Sequence, residues 1–249
     1  MSRPGAASGL RVGRLLLWRH GRTEWNASGR FQGRLDPPLD ELGRRQAAEA
    51  APHLVASGGL DAGTVVVASD LARAADTAGE LTRLLDVPLL LDERLREHGM
   101  GSWEGLTRDE VARAFPEQYA DWLAGRPVRG RGGEEPDEVA ARALAALADL
   151  PEAAVAVVVS HGGTSGRLIE ALLGLGPEQR RVFGPLGNCA WSELQQQSGV
   201  WRLMRHNVAA PAGVPGRTRE GAGGDGEVRA GATPEEGAPG TVGDADAVV

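Results

Sequence analysis

The chain has no lysine; all 27 of its basic residues are arginine. Arginine is therefore the default cation here, and a single Arg at a suggestive position says little. There is one cysteine, Cys189, which excludes an internal disulfide and fits a reducing, cytoplasmic setting. No apolar run is long enough to span a bilayer, and residues 15–18 are too short for a signal-peptide core. No His-Glu-x-x-His pattern occurs, so neither a metal nor another cofactor is expected. The formal net charge is −7 and the pI ≈ 5.3, which argues against a general binder of nucleic acid or of an anionic membrane. There is no repeat of solenoid length.

What is present suits one domain. Residues 1–11 read as a loose, flexible arm, 12–208 as the folded domain and 209–249 as a disordered tail. From Ala209 onward there is no Leu, Ile, Met, Phe, Tyr or Trp. Such a segment cannot bury enough apolar surface to offset roughly 1–2 kcal/mol of ordering entropy per residue. Within the domain, apolar runs at 12–18, 64–68, 89–91 and 154–159 alternate with helical patterns. The runs lack polar alternation, which marks strands buried on both faces. The expectation is an α/β fold: a three-layer α/β/α sandwich with a mostly parallel central sheet. Two last strands are expected at 189–195 and 200–206. A helix capped by Asp40 should run from 41 to about 57, kinked or broken at Pro52. Residues 107–124 read as short helices interrupted at Pro116.

Three of the apolar runs end in polar clusters: Arg19-His20-Gly21, Ser69-Asp70 with Arg73 beyond it, and Ser160-His161-Gly162-Gly163. In a parallel sheet such ends share one edge, where open α/β sheets bind ligands. Two imidazoles and two guanidiniums would then meet at one rim, beside helix N-termini that favour anions. Arginine forks match phosphate oxygens, and a neutral imidazole is a nucleophile near pH 7. Protonation of a leaving alcohol requires a carboxylic acid. Glu97, in the loop after the third strand, is the candidate.

On these residues the chain resembles the histidine phosphatase superfamily, also called phosphoglycerate mutase-like, over about residues 12–207. The matching motifs are Arg19-His20-Gly21 with Thr23 and Asn26; Ser69-Asp70-Leu71 with Arg73-Ala74; Glu97 with Gly101, Trp103, Glu104 and Gly105; and Ser160-His161-Gly162-Gly163. They come in family order. The resemblance implies a metal-independent phosphomonoesterase in which His20 becomes phosphorylated. Arg19, Arg73 and His161 would hold the phosphoryl oxygens. Glu97 would give a proton to the leaving oxygen and then help activate water. Gly21, Thr23, Asn26, Gln32 and Gly162 are expected among the substrate contacts.

The short form of the segment 97–105 looks like the phosphatase branch rather than the mutases. Phrases such as Arg30-Phe31-Gln32-Gly33 and Gly187-Asn188-Cys189-Ala190-Trp191 resemble actinobacterial glucosyl-3-phosphoglycerate phosphatases. The partner implied is a small phosphorylated metabolite. A cofactor-dependent phosphoglycerate mutase and a non-enzymatic phospholigand-binding protein on the same fold are the alternatives. A homodimer is compatible with the sequence, which does not set the oligomeric state. His98 reads as a neighbour of the site, Arg22, Arg30 and Arg34 as solvated surface, Cys189 as inert packing on a strand, and Trp103 and Trp191 as structural.

Overall fold

The computed structural model describes residues 9–176, 179 and 182–211. The expected arm (except residues 9–11) and the expected tail beyond residue 211 lie outside the described residues. Leu10 of that arm is buried with Val12 at the lower end of the core.

One sheet carries the domain. Its strands are β1 (Val12–Arg19), β2 (Val65–Ala68), β3 (Leu89–Leu91), β4 (Ala153–Ser160), β5 (Trp191–Gln197) and β6 (Val200–Val208). The spatial order is β3-β2-β4-β1-β5-β6. The first four are parallel neighbours, and the β5–β6 hairpin adds antiparallel to the free edge of β1. The helices are α1 (Glu24–Ala27), α2 (Glu41–Gly58), α3 (Ala72–Leu85), α4 (Arg108–Ala114), α5 (Pro116–Leu123), α6 (Pro136–Ala148) and α7 (Gly162–Leu173). None of the described helices is long and apolar enough to cross a membrane.

The unbroken apolar runs follow from having helices on both faces. Leu15, Leu17, Ala156 and Val158 pack on Ala143 and Leu147 of α6 and Leu168 and Ile169 of α7. Their chain neighbours Leu16, Trp18, Val157 and Val159 point the other way, onto Ala47 and Leu54 of α2 and Ala78 and Leu81 of α3. A third cluster of Phe31, Met100, Trp103, Val111 and Trp122 joins α4 and α5 to the loops above the sheet.

Two local expectations change. Helix α2 runs unbroken through Pro52. Pro52 is exposed, while Ala47, Ala50, Ala51 and Leu54 are buried. Packing of that apolar face holds the helix together despite one missing backbone bond. Cys189 does not sit on a strand. It occupies a turn at φ 55 before β5 begins at Trp191. The turn sends the Cys189 N–H to the carbonyl of His20 at 3.3 Å and offers its carbonyl to Trp18 Nε1 at 3.0 Å. Burial pushes the Cys189 thiol up to about 12, so it stays protonated and unreactive.

The turn after β1 is pressed against the start of α2. A Cβ on Gly21 would strike the carbonyl of Gly43, and a Cβ on Gly43 would strike the backbone of Arg22. Gly→Ala in a helix ordinarily stabilises by about 1 kcal/mol. Here the sign reverses: Gly43→Ala should destabilise the domain by about 1–3 kcal/mol, the usual range for overpacking. Chemical denaturation of the two proteins checks it, and a gain in stability would contradict the close approach.

Candidate active site

Strands β1 and β4 are parallel and in register, with Arg19 opposite Ser160. The next residues, His20 and His161, therefore leave the sheet side by side. The backbone N–H of His20 donates to the Ser160 carbonyl at 3.0 Å. The two imidazoles lie 5.1 Å apart, centroid to centroid, with their planes at 60°. Arg73 reaches the same place from the first turn of α3, and Glu97 from the loop after β3. Arg19, His20, Arg73, Glu97 and His161 are each no more than 2% exposed.

His20 Nδ1 lies 2.7 Å from the carbonyl of Gly21. A carbonyl can only accept, so Nδ1 carries the proton and Nε2 carries the lone pair. Burial, then the guanidiniums of Arg73 and Arg19, hold the His20 imidazole well below its ordinary value of 6.5. His161 is lowered too, by burial first and then by Arg73, His20 and Arg19. Both rings are thus neutral near pH 7, and His20 presents an unprotonated nitrogen beside two fixed cations. Neither ring nitrogen of His161 has a hydrogen-bond partner among the described residues. An imidazole buried in that state leaves both nitrogens for an outside partner.

Each guanidinium also holds a loop. Arg19 Nη1 donates to the Leu186 carbonyl at 2.6 Å, and Arg73 donates to the carbonyls of Leu35 and Gly33 at 2.8 and 3.0 Å. Asp36 of the same loop accepts from Ala72 N–H at the start of α3.

Glu97 is fixed against the first turn of α7. Its Oε1 accepts from His98 N at 2.7 Å and Thr164 N at 2.9 Å, whereas among the described residues Oε2 accepts only from Gly163 N at 3.0 Å; the Thr164 hydroxyl, 3.2 Å from Oε1, gives its one proton to the Arg96 carbonyl at 2.8 Å. Oε1 holds two N–H bonds and Oε2 one, so Oε2 is the oxygen with more room for a proton. Arg142 of α6 donates to the carbonyls of Arg94 and Glu97, and Ser160 Oγ to that of Leu95, so the loop is clamped from both sides.

The remaining expected contacts divide. Gly21 forms the turn beside His20, its N–H donating to Thr77 Oγ1 at 3.0 Å. Gly162 opens α7 and lines a cavity of about 40 Å³ with Phe183, Leu186 and His206. Thr23, Asn26 and Gln32 are buried and bonded to one another: the Thr23 hydroxyl donates to Gln32 Oε1 at 2.9 Å, and Asn26 Oδ1 accepts from Thr23 N. Asn188 ties this group to the site, donating to the His20 carbonyl at 3.1 Å and to Asn26 Oδ1 at 3.3 Å. Of the arginines read as surface, Arg22 pairs with Asp40, Arg30 with Glu110 and Arg34 with Glu134. The residues that sequence reasoning missed are Thr77, Arg142 and Asn188. The one signal for Arg142 was a cation inside an otherwise alanine-rich helix.

A family model described as the histidine phosphatase superfamily (branch 1) matches residues 15–209. A glucosyl-3-phosphoglycerate phosphatase of Mycolicibacterium vanbaalenii is 39% identical over 226 residues, covering 81% of this chain and 97% of that protein. A protein of the same name from Mycobacterium tuberculosis is 37% identical over 204 residues, 77% of this chain and 88% of its own. The solved structure of a mycobacterial glucosyl-3-phosphoglycerate phosphatase with VO3 superimposes with a TM-score of 0.71 at 37% identity, covering 79% of this chain and all of that one.

The lowered imidazoles have a consequence for stability. His20 and His161 bind protons less readily folded than unfolded, so the stability linked to them is complete above pH 6.5 and lost as the pH falls below it. Urea unfolding at pH 7.5, 6.5 and 5.5 should show stability declining with acid. The double change His20→Gln and His161→Gln should flatten that decline.

Proposed function

The chain belongs to the histidine phosphatase superfamily (branch 1), and from that footing we propose that it hydrolyses a small phosphate monoester through a phosphohistidine at His20. The observation that carries this reading is the neutral His20 imidazole, its Nδ1 proton committed to Gly21, set between Arg19 and Arg73.

The placement of atoms supports the following steps. His20 Nε2 attacks phosphorus, and the bond to the ester oxygen breaks. The guanidiniums of Arg19 and Arg73, with His161, face the phosphoryl oxygens and stabilise the charge of transfer. Glu97 Oε2 delivers its proton to the departing alkoxide. Water then enters, gives a proton back to Glu97 and attacks phosphorus, releasing phosphate and restoring His20. The guanidiniums of Arg19 and Arg73 supply the positive charge, so the reading calls on no metal. The names of the similar proteins favour glucosyl-3-phosphoglycerate or a related phosphoglycerate as the substrate.

His20→Ala should abolish phosphate release from an aryl phosphate. Because uncatalysed monoester hydrolysis is so slow that enhancements approach 10²¹, full activity in that variant would refute the mechanism. Glu97→Gln should discriminate between leaving groups. Alkyl phosphates, which need the proton, should lose ~10²–10⁴ in kcat, the range for general acid catalysis, while aryl phosphates lose far less. Equal loss on both would remove Glu97 from the acid's part.

A further inference from the structure

The protonation of the nucleophile hangs on one carbonyl. His20 Nδ1 gives its proton to the Gly21 carbonyl at 2.7 Å, and that bond is what leaves Nε2 free to attack. A neutral histidine ring in water favours the other form, with its proton on Nε2, so the protein must supply the preference. Gly21 has no Cβ to limit its own torsions. Something outside it has to aim its carbonyl.

Two peptide planes meet at Gly21. The first, between His20 and Gly21, is held at both ends. Its carbonyl accepts from Cys189 N at 3.3 Å and Asn188 Nδ2 at 3.1 Å, and its N–H donates to Thr77 Oγ1 at 3.0 Å. The second, between Gly21 and Arg22, carries the carbonyl that meets His20. It is trans, so its N–H points the opposite way, and there it donates to Gln46 Oε1 at 2.9 Å. Apart from His20 itself, Gln46 is the one group bonded to this plane among the described residues. Planarity carries the constraint across: fixing the N–H fixes the direction of the carbonyl. Half-buried Gln46 stands one turn beyond Gly43 on α2, and the close approach of Gly43 to the backbone of residues 21 and 22 brings it within reach.

We propose that Gln46 is a positioning residue for the reaction: it holds the Gly21–Arg22 peptide so that His20 keeps its proton on Nδ1 and its lone pair on Nε2. Gln46 acts through the peptide and the ring, not by contact with the reacting atoms. Without an acceptor at position 46 the plane is free to rotate and the bond to Nδ1 weakens. The ring then shifts toward the form protonated on Nε2, which cannot attack. This role rests on the phosphohistidine reading, yet the ring's protonation is measurable without any turnover.

The test joins nitrogen NMR of the histidine rings at pH 7.5 to kinetics on an aryl phosphate. It compares the wild type with Gln46→Met, which keeps the length and lacks the oxygen, and with Gln46→Glu, which keeps an accepting oxygen. His20→Gln identifies the His20 signals by their loss. The wild type should show His20 protonated on Nδ1. Gln46→Met should gain the form protonated on Nε2 and lose about 10–100-fold in kcat, the range for partners that orient a functional imidazole. Inorganic phosphate should still bind within about twofold of the wild type. Gln46→Glu should restore the ring signals and most of kcat. Should Gln46→Met not fold, Gln46→Ala carries the same comparison. Unchanged ring signals or unchanged kcat in the variant, a loss that phosphate affinity shares equally, or no recovery in Gln46→Glu would overturn the proposal. A ring that responds to Gln46 in a protein that hydrolyses nothing would sink the phosphatase reading and leave the hold on the ring standing.

Discussion

Two guanidiniums held out of water beside two neutral imidazoles are the constraint on which the rest of the molecule depends. Arg19 and Arg73 are each almost fully buried, and neither can be left there without acceptors. The fold answers with backbone. The carbonyls of Gly33, Leu35 and Leu186 turn inward from loops distant in sequence. The loops around the site are thus shaped by the charge they enclose. Burial, and after it the same charge, keeps His20 and His161 unprotonated, which is the state an attacking nitrogen requires.

Much of this was legible because a parallel sheet converts sequence order into position. Apolar runs without alternation announced strands covered on both faces, and the polar triplets at their ends had one edge on which to meet. The register of β1 against β4 then makes His20 and His161 neighbours with no further instruction. Long-range hydrogen bonding was not legible. No local pattern says that Thr77 will take the N–H of Gly21, that Arg142 will cross from α6 to clamp the Glu97 loop, or that Asn188 will reach the His20 carbonyl. Pro52 misled because burial of neighbouring side chains overrode the local preference, and Cys189 because its turn is held by hydrogen bonds to the distant His20 and Trp18.

The carboxylate of Glu97 shows how a flexible loop becomes a fixed part of a site. The backbone N–H groups of Gly163 and Thr164 at the start of α7 take one oxygen each, and the N–H of His98 adds a second bond to Oε1. A helix whose other face packs into the core therefore sets the position of the acid relative to His161, the residue just before that helix. Three elements (sheet, helix and loop) share one set of atoms, and a small displacement of any of them moves the chemistry.

Arg73 touches the loop of residues 33–36 with the guanidinium proposed to grip phosphate. Ligand and loop therefore draw on one donor group, and their free energies are coupled. By reciprocity, whatever factor the loop's docking adds to or subtracts from affinity, occupancy of the site must return to the loop's docking. The segment is a built-in reporter: a probe placed on exposed Leu35 would read the filling of a chamber that solvent itself barely reaches.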